Sequence, residues 1–254
     1  MNGLFLLGTY KMKYIDSHCH IVYNDNKIIQ ATTDAKNNNI MALICNSCTE
    51  TDWISVQKYG NTHPEIIPAI GIHPWYIDKI KKDWEFRMTD ILNSDKKIIV
   101  GEIGLDKNGP NMDIQEDIFI TQLQIAKNFN RTASVHCVGA WEKILQIFKK
   151  QKKALPPKII AHAYNGPIQI INKTANEYNM FFSYGPNVLE LKQNKQCERI
   201  YNTPVNRILV ESDNAENIQL IPCIVKKIAE IKNIDTAQMA DIIYKNSIQV
   251  IQNG

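Results

Sequence analysis

Short apolar runs recur along the chain, each closed by a polar residue or a glycine and each followed by a stretch of mixed character. Eight such runs stand out: Tyr14–Asp16, Met41–Cys45, Ile66–Ile72, Ile98–Glu102, Thr132–His136, Lys158–His162, Met180–Ser183 and Arg207–Glu211. Continuous rather than alternating hydrophobicity fits strands buried on both faces of a parallel sheet. Between the runs the pattern turns helical. In Asp113–Asn128, the positions Ile114, Phe119 (with Ile118), Gln122 (with Leu123) and Ala126 follow a period of about 3.6 residues. Trp141–Lys149 and Pro222–Ile231 read similarly, whereas Ile77–Asn93 is weakly patterned. Strands alternating with helices predict βαβ units, and eight units predict closure into a TIM-type (β/α)8 barrel. The barrel is expected as a single domain over residues 14–254, after an N-terminal extension at 1–13 in which Met12 stands as an alternative start. A seven-stranded barrel with distorted closure and an open doubly wound sheet are the alternatives.

Length agrees, because the chain has 254 residues and a barrel of this kind takes about 250. Hydrophobic residues make up 44% and charged residues 22%, the balance of an ordinary globular domain. A net charge of +3 permits a nucleic-acid partner without demanding one. No apolar run approaches a membrane span of about 20 residues, and Gly3–Gly8 is too short for a secretory core, so the expected location is cytoplasmic. Of the six cysteines only Cys45 and Cys48 have metal-ligand spacing, and no second pair completes a site; all six read as structural thiols.

Chemistry enters through position. Of six histidines, His18, His20, His73, His136 and His162 fall at or just beyond the C-terminal end of a predicted strand, as do Glu102 and Asp213. Those strand ends form the active face of a (β/α)8 barrel. His18 and His20, two apart on an extended segment, can face the axis together while Cys19 turns away. His18, His20, Glu102, His136, His162 and Asp213 are therefore expected as metal ligands. Six exceed what one ion takes, so two divalent ions sharing Glu102 are expected, with His18, His20 and Asp213 completing one site and His136 and His162 the other. The nitrogen-rich shell suits Zn²⁺ or Mn²⁺ and suits Mg²⁺ less well. Glu102 and Asp213 are the catalytic carboxylates, with Asp213 accepting or orienting the proton of an attacking water. Glu211, of the same strand parity as Asp213, is either an outer partner of a ligand histidine or a buried group bonded to a strand-end amide.

Ile15–His20, Gly71–Pro74, Gly101–Asp106, Val135–Cys137, Ala161–Gly166 and Glu211–Asp213 resemble, in order, the motifs of the TatD family of metal-dependent deoxyribonucleases, across about residues 14 to 250. The resemblance implies a distorted TIM-type barrel, two divalent metals, phosphodiester hydrolysis of DNA from an end, and the ligand roles assigned above. It implies that His73 meets substrate phosphate rather than metal. The chain departs from the family pattern at Val138, where an Arg is frequent, at Lys107, where aromatics are usual, and around Asn214, which lacks a following Pro.

Trp75 and Tyr76 could stack on a base or anchor a loop by packing. Lys107 could pair with a phosphate or stand as a solvated lysine. The run Lys149–Lys153 follows the helix after strand five, which puts it on the N-terminal side of the barrel, away from the site. The leading expectation is a two-metal deoxyribonuclease acting on DNA ends, with no membrane and no obligate protein partner. A hydrolase of amide or ester bonds on the same barrel, and an inactive binding protein derived from one, are the competing readings. Against the first, no predicted strand end offers a lysine to bridge metals; against the second, the ligand set is complete.

Overall fold

The computed structural model describes residues 11–21, 25–190 and 194–252. Most of the expected N-terminal extension, residues 1–10, lies outside them. The chain runs β1 (Tyr14–Cys19), α1 (Asp25–Asn37), β2 (Ile40–Asn46), α2 (Glu50–Thr62), β3 (Ile66–Ile70), α3 (Trp84–Ser94), β4 (Ile99–Asp106), α4 (Met112–Asn128), β5 (Ala133–Val138), α5 (Trp141–Lys150), β6 (Ile159–Ala161), α6 (Ile171–Glu177), β7 (Met180–Tyr184), α7 (Asn194–Asn202), β8 (Ile208–Val210), α8 (Ile221–Lys232) and α9 (Thr236–Ile251). The strands form one parallel sheet in sequential order from β1 to β8, as the alternation of runs predicts.

Two layers of packing follow from the period-two alternation of a strand. Leu43, Val100, Ile159, Phe182 and Val210 point outward and join the helices in the main core. Their neighbours Ile44, Ala69, Ile99, Ile160, Phe181 and Leu209 point inward and meet Val250 of α9, which plugs the bottom of the barrel. Thr132 Oγ1 donates to the Val250 carbonyl at 2.7 Å and fastens that plug. Two residues further along, the inward positions turn polar: Asn46 after Ile44, His162 after Ile160, Ser183 after Phe181 and Glu211 after Leu209. The barrel is thus greasy at the floor and polar at the mouth.

Closure is incomplete in the backbone. Among the described residues β1 and β8 share no ladder pairing. Side chains and one backbone bond bridge the seam instead. Ser17 Oγ donates to Val210 O at 2.9 Å, and Asp16 Oδ1 accepts from the Ser212 N–H at 3.0 Å. The Asp213 N–H reaches His18 O at 3.0 Å. β8 spends its three residues pairing with β7, and its other edge meets β1 through these few bonds, which gives the distorted closure.

The strand boundaries differ from expectation mainly at β4, which continues past Glu102 to Asp106. Leu105 and Asp106 pair with Cys137 and Val138 of β5. Gly104 makes this possible. Its φ is +151°, and a Cβ there would lie 1.9 Å from His136 O. The weak segment Ile77–Asn93 divides into a 3₁₀ turn at Pro74–Lys79 and α3. The Lys149–Lys153 run sits between the end of α5 and β6, at the N-terminal rim, where Lys152 pairs with Glu177 at 2.9 Å. All six cysteines are free. Among the described residues no helix is long and apolar enough to cross a membrane.

Gly104→Ala is expected to destabilise the fold by about 3 kcal/mol or more, because overpacking and a disallowed φ each cost about 1–3 kcal/mol. Differential scanning calorimetry checks this; an unchanged melting temperature contradicts the close approach to His136.

Candidate metal centre

Glu102 lies at the focus of the polar mouth, 2% exposed. Its Oε1 is 2.8 Å from His136 Nδ1, 3.7 Å from His73 Nε2 and 3.8 Å from His162 Nε2. Its Oε2 is 3.2 Å from His20 Nε2 and 3.7 Å from His18 Nε2. Five imidazoles therefore turn a nitrogen toward one carboxylate. Three overlapping groups have ligand atoms close enough to hold a cation: His18, His20 and Glu102; His18, His162 and Asp213; and His73, Glu102 and His136.

The grouping is not a strand-neighbour grouping. His162 meets Asp213, with Nε2 3.5 Å from Oδ1, and its ring stacks on that of His18 at 3.5 Å between centroids. Inward side chains of distant strands meet across a barrel axis, so adjacency along the sheet does not decide who shares an ion. Asp213 reaches in from an exposed position beyond β8, in left-handed backbone at φ +66°. Trp75 and Lys107 are exposed, and the Trp75 ring stands edge-on to His73 at 5.4 Å between centroids.

What surrounds each imidazole sets which nitrogen carries its proton. His20 Nδ1 lies 3.0 Å from Asn46 O, a carbonyl that can only accept, so Nδ1 carries a proton and Nε2, which faces Glu102, is the nitrogen a cation would meet. His162 Nδ1 lies 3.0 Å from Glu211 Oε1, with the same consequence. His18 Nδ1 meets Ser134 Oγ at 3.1 Å, a hydroxyl able to accept from it. His136 is turned the other way, with Nε2 3.1 Å from Asp106 Oδ2 and Nδ1 toward Glu102. Outer acceptors that hold one ring nitrogen so that the other can bind a cation are the usual support of a histidine metal site.

His73 is the exception. Its Nδ1 accepts the Trp75 backbone N–H at 3.2 Å. In the neutral ring the proton must then sit on Nε2, the nitrogen that faces Glu102. Burial pulls the imidazole down to about 4, so it is neutral at physiological pH. His73 is the ring whose outer nitrogen accepts, where the outer nitrogens of the others face acceptors.

The electrostatics fit a cation. Burial by itself would raise the Glu102 carboxyl, but His18 and hydrogen bonds from His136 and His20 hold it well below its usual range. Burial would lower His20 and His136, yet contacts with Cys48 and Glu102 raise the first, and Glu102 raises the second. Burial likewise disfavours a charged His162, but Glu211 brings it up to about 9. His18, fully enclosed, is pushed well below its usual value by burial. Glu211 Oε1 also accepts the Ala163 N–H at 2.9 Å. It is thus both a partner of His162 and a carboxylate bonded to a strand-end amide.

Several supporting groups carry no site signal in the sequence. Ser134 and Asn46 are ordinary polar residues whose roles depend on long-range contacts. Asp16 and Asp106 stand within the His18 and Glu102 motifs and could have been singled out there. Asp16 is fully enclosed, accepts from His18 N and Ser212 N, and is raised by burial to about 7.

A family model described as TatD related DNase matches residues 15–252. An uncharacterised metal-dependent hydrolase of Methanocaldococcus jannaschii is 25% identical over 253 residues, spanning 93% of this chain and 96% of that one. Human deoxyribonuclease TATDN3 is 21% identical, with 93% of each chain covered. The human 3'-5' RNA nuclease TATDN2 is 26% identical over 79% of this chain but only 28% of its own length. Among solved structures, a TatD homologue from Escherichia coli superposes with a TM-score of 0.85 at 18% identity, covering 93% of this chain and 97% of that one, and shares the barrel fold. With the match running through every strand and every imidazole at the mouth, the chain belongs to the TatD family of metal-dependent hydrolases.

Proposed function

We propose that this chain is a two-metal phosphodiesterase that cleaves DNA at single-stranded or frayed ends, with Zn²⁺ or Mn²⁺ as its preferred ions and Mg²⁺ a poorer one. The observation that carries the reading is the buried Glu102 carboxylate surrounded by imidazoles whose outer nitrogens are occupied by acceptors. His18, His20, Glu102, His136, His162 and Asp213 are the residues that would hold the ions. Their donor set, nitrogen-rich with two carboxylates, fits them. When bound, such ions acidify an attacking water and offset the charge of a phosphodiester. The names of the human relatives, one a deoxyribonuclease and one an RNA nuclease, support a nucleic-acid substrate.

The chain's own groups divide the work. Asp213 Oδ1, at the exposed rim beside His162, takes up the proton of the attacking water. His73 Nε2–H donates to a phosphate oxygen, the role its tautomer favours over ligation. Trp75, 53% exposed, offers a face for a terminal base. Lys107 stands on the rim with its stem against Gly139 and its N–H bonded to Val138 O at 2.9 Å, beside the position where the family pattern frequently has an Arg. Its ammonium supplies that charge.

With Mn²⁺ or Zn²⁺ the purified protein is expected to shorten an end-labelled single-stranded oligonucleotide, and His18→Ala or Glu102→Ala to reduce this to background. Intact DNA and RNA across several metals contradicts the nuclease reading; turnover of an ester or amide panel instead assigns the barrel to the other chemistry. His73→Ala is expected to lower kcat by about 10²–10³, the usual effect of losing a donor to developing charge, while metal content measured by mass spectrometry stays that of the wild type. A fall in bound metal would make His73 a ligand.

A further inference from the structure

Asp106 closes β4 and is only 1% exposed, although the loop that follows it is open to solvent. Its backbone is pinned, with the N–H donating to Gln115 Oε1 at 2.8 Å and the carbonyl accepting from Gln115 Nε2 at 3.0 Å. Oδ1 accepts the Asn108 N–H at 2.8 Å. Oδ2 accepts two donors at once. One is the indole Nε1–H of Trp75, at 2.8 Å. The other is His136 Nε2, at 3.1 Å.

An ionised carboxylate can only accept. Asp106 therefore keeps a proton on His136 Nε2, which turns Nδ1 toward Glu102, 2.8 Å away. The same oxygen fixes the indole of Trp75, whose ring is otherwise half free at the mouth. Gly109 completes the contact: a Cβ there would lie 2.9 Å from Gln115 Nε2 and 3.1 Å from Trp75 Cδ1, so the loop lies close against both side chains. One oxygen atom thus stands between an exposed aromatic face and an imidazole at the metal centre.

We propose that Asp106 is a positioning residue that couples the orientation of the Trp75 indole to the occupancy of the metal centre through His136. The inference rests on the metal-centre reading of His136. A cation at Nδ1 makes the Nε2–H a stronger donor and draws charge on Oδ2 toward it. The indole N–H shares that oxygen and feels the change. Linkage makes the coupling reciprocal: whatever orders Trp75, such as a base stacked on it, changes metal affinity by the same factor.

The test titrates metal-stripped full-length protein with Zn²⁺, a closed-shell ion. Binding is followed by calorimetry, and Trp75 by the difference in emission between wild type and Trp75→Phe. In the wild type the Trp75 component is expected to shift with the same midpoint as the calorimetric titration. Asp106→Asn is expected to weaken Zn²⁺ binding about 10–100-fold, as loss of an outer hydrogen-bond partner does, and to remove the Trp75 shift. Trp75→Phe, which keeps the ring and loses the N–H, changes Zn²⁺ affinity by a smaller factor, and the double variant loses no more than Asp106→Asn alone. The metal-free melting temperature separates these effects from misfolding, and Trp75→Phe gives an independent reading where Asp106→Asn unfolds. Wild-type Zn²⁺ binding without a Trp75 shift, or unchanged affinity in Asp106→Asn, overturns the coupling alone. A wild-type chain that takes up no metal overturns the metal-centre reading and the coupling with it.

Discussion

The structure depends on one buried charge. Taking a carboxylate such as Glu102 out of water costs several kcal/mol unless opposite charge or donors surround it. The barrel supplies them in a ring, because five histidines reach the same point from β1, β3, β5 and β6 or the residues just beyond them. The apolar layer beneath, from Ile44 to Leu209 with Val250 as its floor, keeps water out from below. Solvent and ligands reach the site only from the mouth. The mouth is where Asp213, Trp75 and Lys107 are exposed.

Around that charge the imidazoles are not equivalent, although their side chains are identical. Asn46 O, Glu211 and Ser134 hold His20, His162 and His18 by Nδ1; Asp106 holds His136 by Nε2; and the Trp75 amide donates to His73. A carbonyl or carboxylate fixes a proton on the nitrogen it faces, whereas an amide takes a lone pair. The second case reverses the tautomer. This small difference in backbone placement, set by the turn His73–Pro74–Trp75, separates His73 from its neighbours, whose outer nitrogens face acceptors. The same turn brings Trp75 within reach of Asp106, so the exposed indole and the His136 ring share one carboxylate oxygen rather than merely lying near each other.

The seam between β8 and β1 shows how side chains replace a missing ladder. The side chains of Ser17 and Asp16 carry bonds that backbone pairing would otherwise make, beside one backbone bond from Asp213 N–H to His18 O. Two strands that contribute to the mouth, β1 and β4, are also irregular near His18 and Glu102, where their register shifts. Regular pleating would send alternate side chains strictly inward and outward. The irregularities allow more of them to converge on one point.

Much of this was legible in the sequence. Apolar runs such as Ile98–Val100 and Ile159–Ala161 mark strands because burial on both faces is a local property of composition, and their alternation with amphipathic stretches dictates a parallel barrel. The polar residues that end these runs mark the mouth for the same reason. Tertiary structure alone decided the rest. β4 runs on to Asp106 because Gly104 finds room against His136, 32 positions away in the chain. His162 keeps company with His18 and Asp213 because side chains meet across the axis and not along the sheet. Ser134 and Asn46 become partners of the His18 and His20 rings only through contacts 116 and 26 residues distant. The sequence by itself determined which residues stand at the mouth, since strand periodicity is written locally. Which nitrogen each imidazole presents there was left to the fold, because a tautomer is set by whatever acceptor or donor the folded chain brings to the other side of the ring.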